Sequence, residues 1–102
     1  MENSIPDPNK EGFTLYSKSG CIQCTKLKEH LKAKNLLFSV IDCDEYLFED
    51  KDMFLAHMYQ MTNVIIKQFP IVFYEGNYVG SYNEAITFVS KLLVSFEDTF
   101  SF

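Results

Sequence analysis

Cys21 and Cys24 are the residues of this chain best placed to do chemistry. They lie in the run Tyr16-Ser17-Lys18-Ser19-Gly20-Cys21-Ile22-Gln23-Cys24, directly after the apolar stretch Phe13-Thr14-Leu15-Tyr16. Thiols three residues apart are one helical turn apart, near enough for one sulfur to attack a disulfide formed by the other. A strand over Phe13 to Ser17 followed by a helix opening at Ile22 puts Cys21 at a helix N-terminus. There the unpaired backbone N–H groups and the positive end of the macrodipole stabilise a thiolate. An unperturbed thiol is only a few per cent ionised near pH 7, and such surroundings bring a cysteine pKa to roughly 3.5–7.5. The pair therefore points to redox chemistry. Cys43 is not at this spacing and is expected as a small buried hydrophobe, with a regulatory or intermolecular disulfide as the alternative. His30 and His57 do not form the H-x-x-x-H pattern that would complete a zinc site with the two cysteines.

The surrounding elements follow from periodicity and punctuation. Residues 1 to 12, with Pro6, Pro8 and Gly12 among polar neighbours, read as a flexible arm. After the first strand, Ile22 to about Lys34 is rich in helix formers, with Cys24, Leu27 and Leu31 on its buried side. Leu36 to Ile41 is an apolar run suited to a buried strand, which completes a parallel βαβ unit. Phe54, Leu55, Met58 and Met61 mark a second helix from about Phe48 to Met61. Ile71 to Tyr74 and Tyr78-Val79, separated by Glu75-Gly76-Asn77, read as an antiparallel hairpin. Ser81-Tyr82-Asn83-Glu84 matches a capping box, with Ser81 and Glu84 each reaching the other's backbone N–H. It opens a third helix whose stripe is Ala85, Phe88, Val89, Leu92, Leu93 and Phe96, leaving residues 97–102 as an unassigned tail. This order predicts an α/β domain over residues 13–96, a four-stranded mixed sheet with helices on both faces, in a thioredoxin-like layout. Pro70, beginning a strand between Phe69 and Ile71, is expected in the cis form.

Composition limits the function classes. A chain of 102 residues with 47% hydrophobic content suits one domain that folds without disulfide staples. No basic leader precedes an apolar core, and no apolar run reaches the roughly 18 residues of a membrane span. With an odd count of three cysteines, the expectation is a soluble, cytoplasmic protein with no membrane partner. A net charge of −5 gives no footprint for nucleic acid. Lys18, Lys26, Lys28, Lys32 and Lys34 cluster around the first helix, and six acids lie between Asp42 and Asp52. These are either two solvated faces or a positive rim suited to an anionic substrate.

With these motifs in order, the sequence resembles the glutaredoxin family over roughly residues 12 to 95. The family's Tyr-Ser-Lys-x-x-Cys-Pro-Tyr-Cys run is matched by Tyr16 to Cys24, of dithiol type with a Cys-Ile-Gln-Cys centre. Its Thr-Val-Pro with a preceding basic residue is matched by Lys67-Gln68-Phe69-Pro70, and its Gly-Gly-Cys-Asp-Asp turn by Gly80-Ser81-Tyr82-Asn83-Glu84. Departures are Ile22-Gln23 for Pro-Tyr, Phe69 for Val, Ser81 for the second Gly, Asn83-Glu84 for the two Asp, and about two extra residues between Thr62 and Pro70.

The resemblance implies a glutathione-dependent thiol–disulfide oxidoreductase that reduces protein disulfides or glutathione mixed disulfides, with Cys21 as nucleophile and Cys24 as resolving thiol. It implies glutathione contacts at Lys18, Gln23, Lys67, Phe69, Pro70, Tyr82 and Asn83. Lys18 would both favour the Cys21 thiolate and receive the glycyl carboxylate. The strand edge at Phe69-Pro70 would pair with the cysteinyl backbone. The helix start at Tyr82 and Asn83 would hold the γ-glutamyl carboxylate, although Ser81 and Glu84 also read simply as a cap and Gln23 as an exposed side chain. Two alternatives stay open: a [2Fe–2S] carrier with a cluster held between two subunits by one Cys from each and two glutathiones, and a thioredoxin-like interaction domain or thioredoxin-reductase-linked reductant. A monomer is expected unless a cluster bridges two chains.

Overall fold

Alternation along two central strands decides the layering. In β1 (Phe13–Ser17), Phe13 and Leu15 pack into one core and Tyr16 into another. In β3 (Ile71–Tyr74), Val72 joins the first core while Ile71 and Phe73 join the second. Successive side chains of a pleated strand point to opposite faces, so a central sheet of this pattern needs cover on both sides. The structure, a computed structural model, describes residues 4–100, with side chains through residue 94.

The four strands form one mixed sheet in the order β2-β1-β3-β4. Strand β2 (Phe38–Asp42) runs parallel to β1, with Phe13 opposite Phe38 and Ser17 opposite Asp42. Strand β3 is antiparallel to β1, with Leu15 opposite Val72, and β4 (Asn77–Gly80) is antiparallel to β3. Helix α1 (Ile22–Ala33) crosses from β1 to β2 and, with α3 (Tyr82–Phe100), covers the face of Leu15 and Val72. Helix α2 (Asp44–Thr62) supplies Phe54 and Met58 to the opposite core. Cys24, Leu27 and Leu31 are the buried residues of α1, as the spacing predicts. Along α3, Ala85 and Val89 are buried and Phe88, Leu92 and Leu93 pack partly against them, while the side chain of Phe96 lies outside the described ones.

Five local expectations are corrected. The run from Leu36 enters the sheet only at Phe38 and forms an edge strand, leaving Leu37 65% and Val40 40% exposed. Helix α2 begins at Asp44, because acids at a helix start are favourable to the dipole rather than a blurred boundary. Its ladder breaks at Asp50 (φ −159°, ψ 86°), whose Oδ1 accepts from Met53 N at 3.0 Å and caps the turn that restarts the helix. In the hairpin, Glu75 and Gly76 both take positive φ, +50° and +86°, so the turn has two residues and Asn77 belongs to β4. Helix α3 runs on through residues 97–100 of the expected tail, while Ser101 and Phe102 lie outside the described residues.

The fifth correction concerns the N-terminal arm, of which Met1 to Asn3 lie outside the described residues. Ile5 is only 8% exposed and sits in the core with Tyr16, Phe54 and Phe73. Tyr16 Oη donates to Pro6 O at 2.6 Å, and Asn9 N donates to Thr14 Oγ1 at 3.0 Å. Among the described residues, no helix is long and apolar enough to cross a membrane.

Candidate active site

Strand β1 ends at Ser17, and a short loop turns through Gly20 (φ +72°) to deliver Cys21 to the start of α1. Cys21 is the N-cap residue of that helix, and Cys24 N donates to its sulfur at 3.1 Å. No acidic residue stands in the first turn to oppose an anion there. Cys21 and Cys24 are joined as a disulfide, their Cα atoms 5.3 Å apart. Cys21 is partly exposed and Cys24 is 1% exposed, so an incoming partner reaches Cys21 first. Once the bond is reduced, the same N–H and helix end act on a Cys21 thiolate. Ile22 and Gln23 point outward, Ile22 being 72% exposed.

Two contacts fix the loop before Cys21. Ser19 N donates to Asp44 Oδ1 at 2.9 Å, and the Ser19 hydroxyl bonds the other oxygen of that carboxylate. These two hydrogen bonds, with a smaller contribution from the Lys18 charge, hold the Asp44 carboxyl below its ordinary pKa. On the other side, Lys18 Nζ lies 5.6 Å from the centre of the Phe69 ring, within cation–π range. Phe69 stacks on Phe54 at 6.0 Å, and Phe54 on Tyr46 at 6.3 Å, so the ring under Lys18 is anchored in the core. The Phe69–Pro70 peptide is cis, as expected from sequence, and Pro70 is buried.

Lys18, Lys67 and Phe69, named separately from sequence, line one cavity of about 460 Å³. Lys51 of α2 lines it too, together with Leu47, Leu55 and Ile66. Ile66, Lys67 and Gln68 also border a second hollow of about 310 Å³ that reaches Gly80, Ser81 and Glu84. The two together make a groove from the lysines to the start of α3. Thr62 Oγ1 donates to Met58 O at 2.9 Å and accepts from Val64 N at 3.1 Å, tying Val64, which lines the second hollow, to the end of α2.

Only half of the capping box forms at α3. Glu84 Oε1 accepts from Ser81 N at 3.0 Å, but Ser81 Oγ, in a residue 7% exposed, has no hydrogen-bond partner among the described residues. Gly80 explains the tight fit, because a Cβ at its φ of +141° would stand 2.5 Å from Glu84 Cβ. Tyr82 is half-buried in the first turn, and Asn83 faces a different hollow with Tyr74 and Lys91. The groove therefore gathers Lys18, Lys67 and Phe69 but does not take in the side chains of Gln23, Pro70, Tyr82 and Asn83.

Cys43 stands apart from this site. It is fully buried, its thiol donates to Ile41 O at 3.6 Å, and burial pushes its pKa up to about 12. Among the described residues no three His, Cys, Asp or Glu side chains converge as a metal site. The buried Cys24 leaves Cys21 as the accessible sulfur, so the residues of this chain do not by themselves make a cluster site. Sequence reasoning missed Asp44 and Lys51. The Asp42-Cys43-Asp44 spacing held a signal for the first, since Asp42 Oδ1 accepts from Asp44 N at 3.0 Å in a local turn. For Lys51 the signal was its spacing, since Leu47, Lys51 and Leu55 stand at i, i+4 and i+8 on one side of α2.

Comparisons with known proteins agree with this geometry. A family model described as glutaredoxin matches residues 13–79. No curated protein matches the sequence. Among solved structures, the chain is similar to glutaredoxin 1 from Francisella tularensis complexed with cacodylate, with TM-score 0.69 and 23% identity over 79% of this chain and 94% of that one. It is also similar to the holo form of glutaredoxin C1 from Populus tremula x tremuloides, with TM-score 0.67 and 21% identity over 88% and 87% of the two chains. A buckwheat glutaredoxin–glutathione complex gives TM-score 0.63 and 23% identity over 78% of this chain and 68% of that one. The structural likenesses establish the thioredoxin-like fold, and the family model spans well over half the chain, including both cysteines. With a Cys-x-x-C pair suited to thiol–disulfide exchange at a helix start, the chain belongs to the glutaredoxin family of thiol–disulfide oxidoreductases.

Proposed function

We propose that this protein reduces glutathione mixed disulfides and protein disulfides with glutathione as the reductant. The observation that carries this reading is the partly exposed Cys21 at the N-cap of α1, its sulfur accepting from Cys24 N at 3.1 Å, with Lys18 lining both the hollow at the cysteines and a groove with cations at one end. The Cys21 thiolate attacks the glutathionyl sulfur of a mixed disulfide; the old S–S bond breaks and the target cysteine leaves as a thiolate that takes up a proton. A second glutathione thiolate then attacks the glutathionyl sulfur on Cys21, releasing oxidised glutathione and restoring the Cys21 thiolate. On a protein disulfide, Cys24 instead resolves the Cys21–substrate bond, giving the Cys21–Cys24 disulfide that two glutathiones later reduce.

Glutathione carries two carboxylates and one ammonium, and the groove offers a complementary partner to each carboxylate. Lys18 and Lys67 take the glycyl carboxylate and the backbone at Phe69-Pro70 pairs with the cysteinyl unit. The amides of Tyr82 and Asn83 take the γ-glutamyl carboxylate. The buried, partnerless Ser81 Oγ supports a polar ligand at that end, where its hydroxyl gains a partner. Gln23, exposed in the first turn of α1 and outside the groove, has no part in this reading. A cytoplasmic setting, where glutathione is reduced, fits the same proposal. The [2Fe–2S] alternative rests on the resemblance alone.

The test is reduction of a small glutathione mixed disulfide by glutathione, glutathione reductase and NADPH, run beside a thioredoxin-reductase assay. Cys21→Ser is expected to abolish activity and Cys24→Ser to retain it. Turnover with thioredoxin reductase alone would overturn the glutathione reading, and absorption between roughly 320 and 420 nm after anaerobic purification would favour the cluster.

A further inference from the structure

The cavity lined by Lys18, which also borders the hollow at Cys21 and Cys24, holds more positive charge than glutathione needs. Lys18, Lys51 and Lys67 all line it and no acidic residue does, in a chain whose net charge is −5. Two lysines account for one glycyl carboxylate. Lys51 is the third. It is exposed and follows the break at Asp50 that restarts α2. Between the cations, Leu47, Leu55 and Ile66 form an apolar wall, each only partly buried. A site of three cations around an apolar floor complements a segment with a carboxylate next to an apolar side chain.

We propose that the Lys51 side of this cavity, bordered by Leu47 and Leu55, reads the protein half of the mixed disulfide, with Lys51 as the specificity-determining residue, and that the preferred substrates carry acidic and apolar residues beside the reacting cysteine. The inference rests on the glutathione reading above, which assigns Lys18 and Lys67 to glutathione and leaves Lys51 free for the peptide. Lys51 acts on the choice of partner and not on the exchange chemistry, so a substrate with no peptide does not sense it.

The experiment compares two glutathionylated peptides of one length, the cysteine flanked by Asp, Glu and Leu in one and by Lys and Leu in the other, with a small glutathione mixed disulfide as reference. The wild type is expected to favour the acidic peptide. Lys51→Gln is expected to lower kcat/KM for that peptide about three- to five-fold, as for a single exposed ion pair, and Lys51→Glu to lower it further. The reference substrate stays within about twofold, and the wild-type preference fades at high salt as charges are screened. Equal losses on all three substrates, or no loss on any, would overturn the proposal while leaving the glutathione reading intact. A direct measurement separates the two ideas further: fluorescence anisotropy of the acidic peptide with Ser in place of Cys needs no turnover. Binding weakened several-fold by Lys51→Gln supports the inference whichever reductant is used, and binding that ignores the substitution overturns it.

Discussion

Cys21 and Cys43 carry the same functional group in opposite surroundings. Cys21 caps a helix and accepts an N–H, which favours the thiolate, whereas Cys43 lies in a core where burial pushes its pKa up to about 12. Burial also denies reagents any path to the Cys43 sulfur. In the fully reduced native protein, alkylation followed by mass spectrometry is expected to label Cys21 rapidly and Cys43 only after denaturant is added. Prompt labelling of all three thiols would show that Cys43 is not the inert packing residue its surroundings imply. Lys18 shows how one side chain links parts of the site, its ammonium over the Phe69 ring and its charge near Asp44. The cation–π contact is worth about 0.5–1 kcal/mol at an exposed site, enough to bias the lysine toward the groove rather than open solvent.

At the scale of elements, the loop that carries Cys21 is tied to the start of α2 by the Ser19–Asp44 pair. The hydrogen bonds from Ser19 lower the Asp44 pKa, so folding favours the ionised carboxylate. That stabilisation is fully present above the unfolded-state value of about 3.9 and is lost as pH falls through the lower folded-state value. Asp44→Asn is therefore expected to lower stability at neutral pH, with the gap to the parent narrowing below about pH 3.9. Urea midpoints at pH 7 and pH 3 check this, and a gap that stays constant or widens in acid would refute the tie. Helix α2 shows a second elemental effect. Its residues are acceptable to a helix throughout, yet Asp50 leaves helical angles to cap the following turn through Met53 N.

For the whole molecule, the sheet divides two cores, and the N-terminal segment closes one of them. Ile5 packs with Tyr16, Phe54 and Phe73, and Tyr46 Oη donates to Ser4 O at 3.1 Å, bringing α2 to the same segment. Fully burying an aliphatic side chain of this size contributes about 1.5–3 kcal/mol. Ile5→Ala is expected to destabilise the protein by about 1–3 kcal/mol, through lost burial and a partly collapsed cavity. Urea unfolding reads this as a lower midpoint with unchanged slope; an unchanged midpoint would mean that the segment adds nothing to the core. The sequence hides this anchor because Pro6, Pro8 and their polar neighbours carry a loop composition around the single apolar residue Ile5.

The sequence by itself determined the elements and the reacting atoms. Period-two and period-3.6 patterns are local, so the strand at Phe13, the α1 stripe of Cys24, Leu27 and Leu31, and the α3 stripe from Ala85 were legible without coordinates. The Cys-x-x-C spacing likewise contains its own geometry, because one helical turn sets the distance between the sulfurs. Tertiary structure alone decided what converges on that pair. Lys18, Lys51 and Lys67 come from three separate segments, the loop after β1, helix α2 and the loop after Thr62, and share one cavity only because the fold packs those segments together. The edge position of β2 and the unpaired Ser81 hydroxyl were hidden for the same reason. Exposure and hydrogen-bond satisfaction depend on neighbours distant in the chain, and no pattern within a single segment records them.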